Sequence, residues 1–92
     1  MKGRYYIMIT FDYTIRDELG IHARPAGMLA KIAKSFDSDI TITKGEKTVG
    51  AAKLMALMGL GVKCGDTITV TVNGGNEDAA AEGIKSFLEN NL

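Results

Sequence analysis

Gly20-Ile21-His22-Ala23-Arg24-Pro25-Ala26-Gly27 holds the only histidine and the only proline of the 92-residue chain. Downstream, apolar residues recur at Ala26, Leu29, Ala30, Ala33 and Phe36, with Arg24, Gly27, Lys31 and Lys34 between them. That i, i+3, i+4, i+7 spacing predicts an amphipathic helix running to about Phe36 with one face buried. Proline fits such a helix only in its first turn, where a missing N–H leaves nothing unsatisfied. Pro25 therefore sets the helix start, and His22 falls at or next to the N-cap. Backbone N–H groups there point outward without acceptors and carry partial positive charge, a natural seat for a phosphate. A nucleophilic ring and an anion seat thus coincide.

Around this helix the pattern is of short strands. Every odd residue from Tyr5 to Ile15 is apolar, which predicts a half-buried strand with Thr10, Asp12 and Thr14 on its wet face. Tyr6 and Met8 interrupt the alternation at its start. Asp17-Glu18-Leu19-Gly20 reads as the turn into the first helix, and Asp37-Ser38-Asp39 as its end. Ile40–Thr43 and Lys47–Val49 read as a hairpin about Lys44-Gly45-Glu46. Ala51 to Met58 is rich in Ala, Leu and Met and predicts a short helix, with Gly59 at the C-cap. Thr67–Val72 alternates threonine with Ile68, Val70 and Val72, the clearest strand in the chain. After Asn73-Gly74-Gly75, Asn76 is placed to cap a last helix, with Glu77 and Asp78 in its first turn. Ala80, Ile84, Phe87 and Leu88 form the core stripe of that helix, and Gly83 inside it costs about 1 kcal/mol against alanine. The order is β-α-β-β-α-β-α. One polar face per strand suits a mainly antiparallel sheet covered by helices on one side; periodicity does not give the strand order.

Composition narrows the function classes. Ninety-two residues make one small domain that buries about 60–65% of its unfolded surface. Eleven basic and eleven acidic residues cancel, so no general nucleic-acid binding is expected. Cys64 stands alone, without a disulfide partner or a Cys/His cluster for zinc, which suits a reducing cytoplasm. No apolar run reaches the ~20 residues that cross a membrane, and Tyr5–Ile9 lacks a cleavage pattern. No metal or cofactor is expected.

The residues also point to a family. His22-Ala23-Arg24-Pro25-Ala26, preceded by Gly20, resembles the active-site signature of the HPr family, the histidine-containing phosphocarriers of the bacterial phosphoenolpyruvate:sugar phosphotransferase system. A second block, Lys47-Thr-Val-Gly-Ala-Ala-Lys-Leu-Met-Ala-Leu-Met-Gly-Leu-Gly61, lies at the distance from His22 that the family shows, and the resemblance covers roughly residues 9–90. It implies an α+β open-faced β-sandwich: a four-stranded antiparallel sheet of order 1-4-2-3 with three helices on one face. Residues 1–92 would form one HPr-like domain, with residues 1–8 an N-terminal extension of the first strand. A monomer is expected, with dimerisation through the edge of that extended first strand as the alternative.

The chemistry at His22 can be argued from the residues. A phosphoryl relay needs a nucleophile that is uncharged at neutral pH and forms a labile bond. Imidazole, with a reference pKa of about 6.5, meets the first requirement, and its phosphoramidate meets the second. Arg24 supplies a planar donor fork for phosphoryl oxygens, and the backbone N–H groups of Ala23 and Arg24 add donors. A helix dipole steadies an anion by about 0.3–1 kcal/mol, reaching ~2 kcal/mol at best. That is weak enough to release the group, as a carrier must.

The resemblance implies the rest. The histidine matching His22 is phosphorylated on Nδ1 by enzyme I, which draws on phosphoenolpyruvate, and the group passes to the A domains of enzyme II. The protein is then a substrate of two enzymes and not itself an enzyme. Gly27, Met28, Lys31, Lys53, Leu54, Met55 and Met58 would form the docking face, with Leu57 facing the core. Methionine suits a face that accepts unlike partners in turn. Core packing is the competing reading for Leu54, Met55 and Met58. Two positions depart from the family. Lys53 stands where HPr proteins ordinarily carry a regulatory serine, and Leu19 where a small polar residue is usual. The runner-up function is an HPr-like module phosphorylated at His22 that acts by phosphorylation-dependent binding. A stand-alone enzyme is disfavoured by the lack of a second histidine and of a dense carboxylate cluster.

Overall fold

A computed structural model describes residues 8–92 of the chain. The elements are β1 (Ile9–Thr14), α1 (Ala23–Lys34), β2 (Asp39–Lys44), β3 (Lys47–Gly50), α2 (Leu54–Gly59), β4 (Thr67–Asn73) and α3 (Glu77–Asn91), in the order the sequence predicts. All pairings are antiparallel and the sheet order is β1-β4-β2-β3, as the resemblance implied.

The clearest strand of the sequence lies inside the sheet. Val72 pairs with Ile9 on one side and Ile40 on the other, and Val70 pairs with Phe11 and Ile42. These two apolar rows face the helices, and Ile42, Ile68, Val70 and Val72 are fully buried. Leu29 and Ala26 from α1, Leu57 from α2, and Ala80, Ile84 and Leu88 from α3 close over them. Burying each of the larger aliphatic side chains is worth about 1.5–3 kcal/mol against leaving it in water. The other face carries hydroxyls. Thr14 pairs with Thr67 and Thr43 with Thr48, each at 2.8 Å, and Thr69 donates to Asp12 at 2.7 Å.

Several boundaries differ from expectation, each for a physical reason. The strand expected over Tyr5–Ile15 is seen as Ile9–Thr14, its N-terminal part lying outside the described residues. Ile15 leaves the ladder but stays buried, its N–H bonded to Asp66 O at 2.9 Å. α1 ends at Lys34, two residues short of Phe36, because Ser35 Oγ and Ser35 N both turn back to Ile32 O. Phe36 is thereby released to lie against Gly83, where a β-carbon would come within 2.6 Å of the ring. Gly83 is thus the residue that lets α1's end meet α3. α2 begins at Leu54, not Ala51: Ala51 N bonds Ile40 O and Lys53 N bonds Gly50 O, so both alanines belong to the turn. Gly59 is helical, and the left-handed residue that ends this segment is Gly61, with φ +65°. Asn76 caps α3 as predicted, accepting from Ala79 N at 3.2 Å.

Candidate functional site

The site is a loop, residues 16–22, held at several points ahead of α1. Ile15 and Gly65 bond at 2.8 Å on one flank, and Ile21 N donates to Val62 O at 3.1 Å on the other. Between them Arg16 N and Asp17 N both donate to Leu92 O, at 2.6 and 2.8 Å. Asp17 shapes the bend itself, accepting Leu19 N on Oδ1 at 2.8 Å and Gly20 N on its carbonyl at 3.0 Å. Gly20 adopts φ +68° and lies so close to Val62 that a β-carbon would come within 2.3 Å of its carbonyl oxygen. Only glycine satisfies both the angle and the space.

His22 is the N-cap of α1, with extended backbone at φ −93° and ψ −176°. Its carbonyl accepts the first helical bond, from Ala26 N at 2.9 Å. The half-buried imidazole makes no capping hydrogen bond, so its nitrogens are left for other chemistry. As first-turn residues, Ala23 and Arg24 have N–H groups with no acceptor inside the helix, and Pro25 has none to place. There is no acidic residue in this turn to neutralise it, whereas α3 begins with Glu77 and Asp78. His22, Arg24, Pro25, Met28, Asp17 and Asn91 line a cavity of about 240 Å³. Larger hollows of about 300 and 450 Å³ lie elsewhere, beside Arg16 and between Ile9 and α3, so the site is singled out by its chemistry and not by size.

The expected residues are thus brought together at His22, Ala23 and Arg24. Met28 joins them directly by lining the same cavity. Leu54, Met55 and Met58 are exposed on α2, Met55 at 78%, while Leu57 is fully buried; core packing therefore does not explain the first three. Lys31 and Lys53 are exposed and Gly27 is half-buried. Lys53 is the N-cap of α2, with its methylene stem close to Gly50. Leu19 is 72% exposed and brings no polar group to the cavity.

Asp17 and Asn91 were not among the candidates. Asp17 reads only as part of the turn into α1, and the sequence pattern gives Asn91 no role. Nothing local in the sequence signals that the end of α3 packs beside the start of α1. Asn91 is oriented by its Nδ2 donating to Phe87 O at 3.0 Å. Among the described residues no group of three or more His, Cys, Asp and Glu could hold a metal, and no helix is long and apolar enough to cross a membrane.

Comparison with known proteins adds an independent line. The family model PTS-HPr, described as the PTS HPr component phosphorylation site, matches residues 9–90. Phosphocarrier protein HPr of Mycoplasma capricolum is 41% identical over 81 residues, spanning 88% of this chain and 91% of the relative. Phosphocarrier protein NPr of Shewanella violacea is 42% identical over 76 residues, 83% of this chain and 84% of the relative. A solved structure of the histidine-containing phosphocarrier protein of Mycoplasma superposes with a TM-score of 0.86 at 38% identity, covering 89% of this chain and 93% of that one.

Proposed function

The chain belongs to the HPr family of phosphocarriers of the phosphotransferase system, and from that premise we propose that it relays phosphoryl groups through His22. Phospho-enzyme I, charged by phosphoenolpyruvate, is the donor, and enzyme II A domains are the acceptors. The imidazole Nδ1 attacks phosphorus as the bond from phosphorus to enzyme I breaks; the same exchange in reverse order loads enzyme II, and no water is consumed. The observation that carries this reading is the placement of the chain's one imidazole. It is half-buried at an N-cap, free of side-chain capping bonds, and shares a cavity with Arg24.

Each neighbour has a part in the relay. The Ala23 and Arg24 N–H groups and the Arg24 guanidinium meet the phosphoryl oxygens. With Leu19 turned to solvent, no side chain at that position helps them. Met28, Leu54, Met55 and Met58, with Gly27, Lys31 and Lys53 around them, receive the partner proteins in turn. A cytoplasmic setting follows from that partnership. Lys53 lacks the hydroxyl that a serine kinase would modify, so transfer through His22 is not switched at that position.

The test is onward transfer. The protein is charged with enzyme I and phosphoenolpyruvate, purified, and mixed with a panel of enzyme II A domains. Loss of the label to at least one of them supports the relay. A charged protein that passes its phosphate to none would instead be a module read out by phosphorylation-dependent binding.

A further inference from the structure

The loop that backs His22 is itself tied down by a side chain from the end of β2, the strand that pairs with β4. Lys44, the last residue of β2, donates from Nζ to Gly61 O at 2.9 Å and pairs with Asp66 Oδ2 at 3.0 Å. This is the only ion pair among the described residues, in a chain with 22 charged side chains. Its two anchors are the two ends of the segment that contains Val62. Asp66 Oδ2 also accepts Lys63 N at 2.8 Å, and Asp66 N donates to Lys63 O at 2.9 Å, which closes the segment on itself. The carboxyl of Asp66 is held below its ordinary value, first by the Lys63 N–H and then by Lys44.

The segment cannot hold this shape through regular structure. Gly61 and Gly65 both take left-handed φ, at +65° and +91°, with open space where a β-carbon would stand; the buried Val62 side chain and the backbone bonds of Gly65 and Asp66 to Ile15 anchor the segment elsewhere. Yet Val62 O, between them, is the acceptor for Ile21 N and the surface against which Gly20 is pressed. Ile21 is the residue immediately before His22. Both sides of the pair are about one-third exposed, and ion pairs so open to solvent add little to global stability. What the ammonium does provide is a fixed distance between the two ends of the segment.

Resting on the carrier reading, we propose that Lys44 is a positioning residue for phosphoryl transfer: it clamps Gly61 to Asp66, so that Val62 holds Ile21 and thereby the imidazole of His22 at the mouth of α1. Lys44 is not among the residues that line the cavity at His22, nor among those of the proposed docking face. Its loss loosens the Gly61 end of the segment, while the bonds of Gly65 and Asp66 to Ile15 keep the other end in place, and the ring then samples orientations in which Nδ1 is off the line of attack. Misplacement of a reacting group by an ångström can cost up to about a hundredfold in rate, and partial loosening should cost about tenfold.

The experiment measures enzyme I-dependent phosphorylation, as kcat and KM for this protein as substrate, together with amide hydrogen exchange at Ile21 and Val70. Three variants are compared with the wild type: Lys44→Met, Lys44→Arg and Asp66→Asn. Lys44→Met should lower kcat about tenfold with KM changed by less than about twofold, because the docking face is untouched. Its Ile21 amide should exchange about tenfold faster while Val70, in the sheet centre, keeps its wild-type rate. Lys44→Arg, which retains the cation and its donors, should recover most of both, and Asp66→Asn should fall between. The proposal is overturned if Lys44→Met keeps wild-type kcat and Ile21 exchange. It is equally overturned if Ile21 and Val70 speed up together, since the pair would then serve only the fold. Wild type that is never phosphorylated would sink the carrier reading, while the Ile21 exchange rates would still decide whether Lys44 holds the loop.

Discussion

Replacing Gly20 by alanine should injure the fold and the site at once, and the structure allows the size to be worked out. At φ +68° any residue with a β-carbon is strained, by about 1–2 kcal/mol. The added carbon would also lie 2.3 Å from Val62 O and 2.7 Å from Lys63 Cα, both backbone atoms that cannot swing aside. Relieving such an overlap moves main chain, at a cost of about 1–3 kcal/mol. Together these give roughly 2–5 kcal/mol, a large part of the roughly 5–14 kcal/mol available to a chain of this length. Gly45 is the control: φ is +61°, but nothing lies within 4 Å of its would-be β-carbon, so only the conformational cost applies. Urea unfolding of both alanine variants, with the slope checked for constancy, separates the two contributions. Gly20→Ala should cost at least about 1 kcal/mol more than Gly45→Ala, and its Ile21 amide should lose protection as Val62 is pushed away. Equal costs would mean that the loop yields freely, and the close approach of residues 20 and 62 would have no mechanical meaning.

Other perturbations test other links. Asn76→Ala removes the α3 cap and should cost about 1 kcal/mol in urea unfolding. Gly83→Ala should not deliver the ~1 kcal/mol that helix propensity alone offers, because the new carbon meets the Phe36 ring at 2.6 Å; a full gain would show that the ring moves aside at no cost. Because the Asp66 carboxyl is depressed in the folded protein, its contribution is present above the ordinary carboxylate value of about 3.9 and is lost as pH falls through the folded value. The stability gap between wild type and Asp66→Asn should therefore close in acid and stay constant from pH 5 upward; a gap unchanged at pH 2 would contradict the pairing. Met55→Ala, at a side chain 78% exposed, should alter stability by less than about 0.5 kcal/mol yet weaken transfer to at least one partner.

Much of this architecture could be read from local pattern. Alternation in Ile40–Thr43 and Thr67–Val72 located two strands because one face of each is buried and the other wet. Pro25 located the start of α1 because only a first turn accepts it. Strand order came from resemblance alone, since a period of two says which residues share a face and nothing about which strand lies alongside. The misplaced start of α2 has a similar cause: Ala51 and Ala52 favour helix, but Ala51 N is taken by Ile40 O, a contact eleven positions away in sequence. The same blindness hid Asp17, Asn91 and the Lys44 clamp, all of which join segments distant along the chain. His22 and Arg24 were legible because a helix start announces itself within a few residues.

The relay stands or falls on one bond between phosphorus and the ring of His22. Wild type and His22→Ala are each incubated with enzyme I and phosphoenolpyruvate and read by intact mass before and after mild acid. Wild type should gain a single phosphate that acid removes, and His22→Ala should gain none. An unmodified wild type, or a variant labelled as fully as wild type, would contradict the assignment.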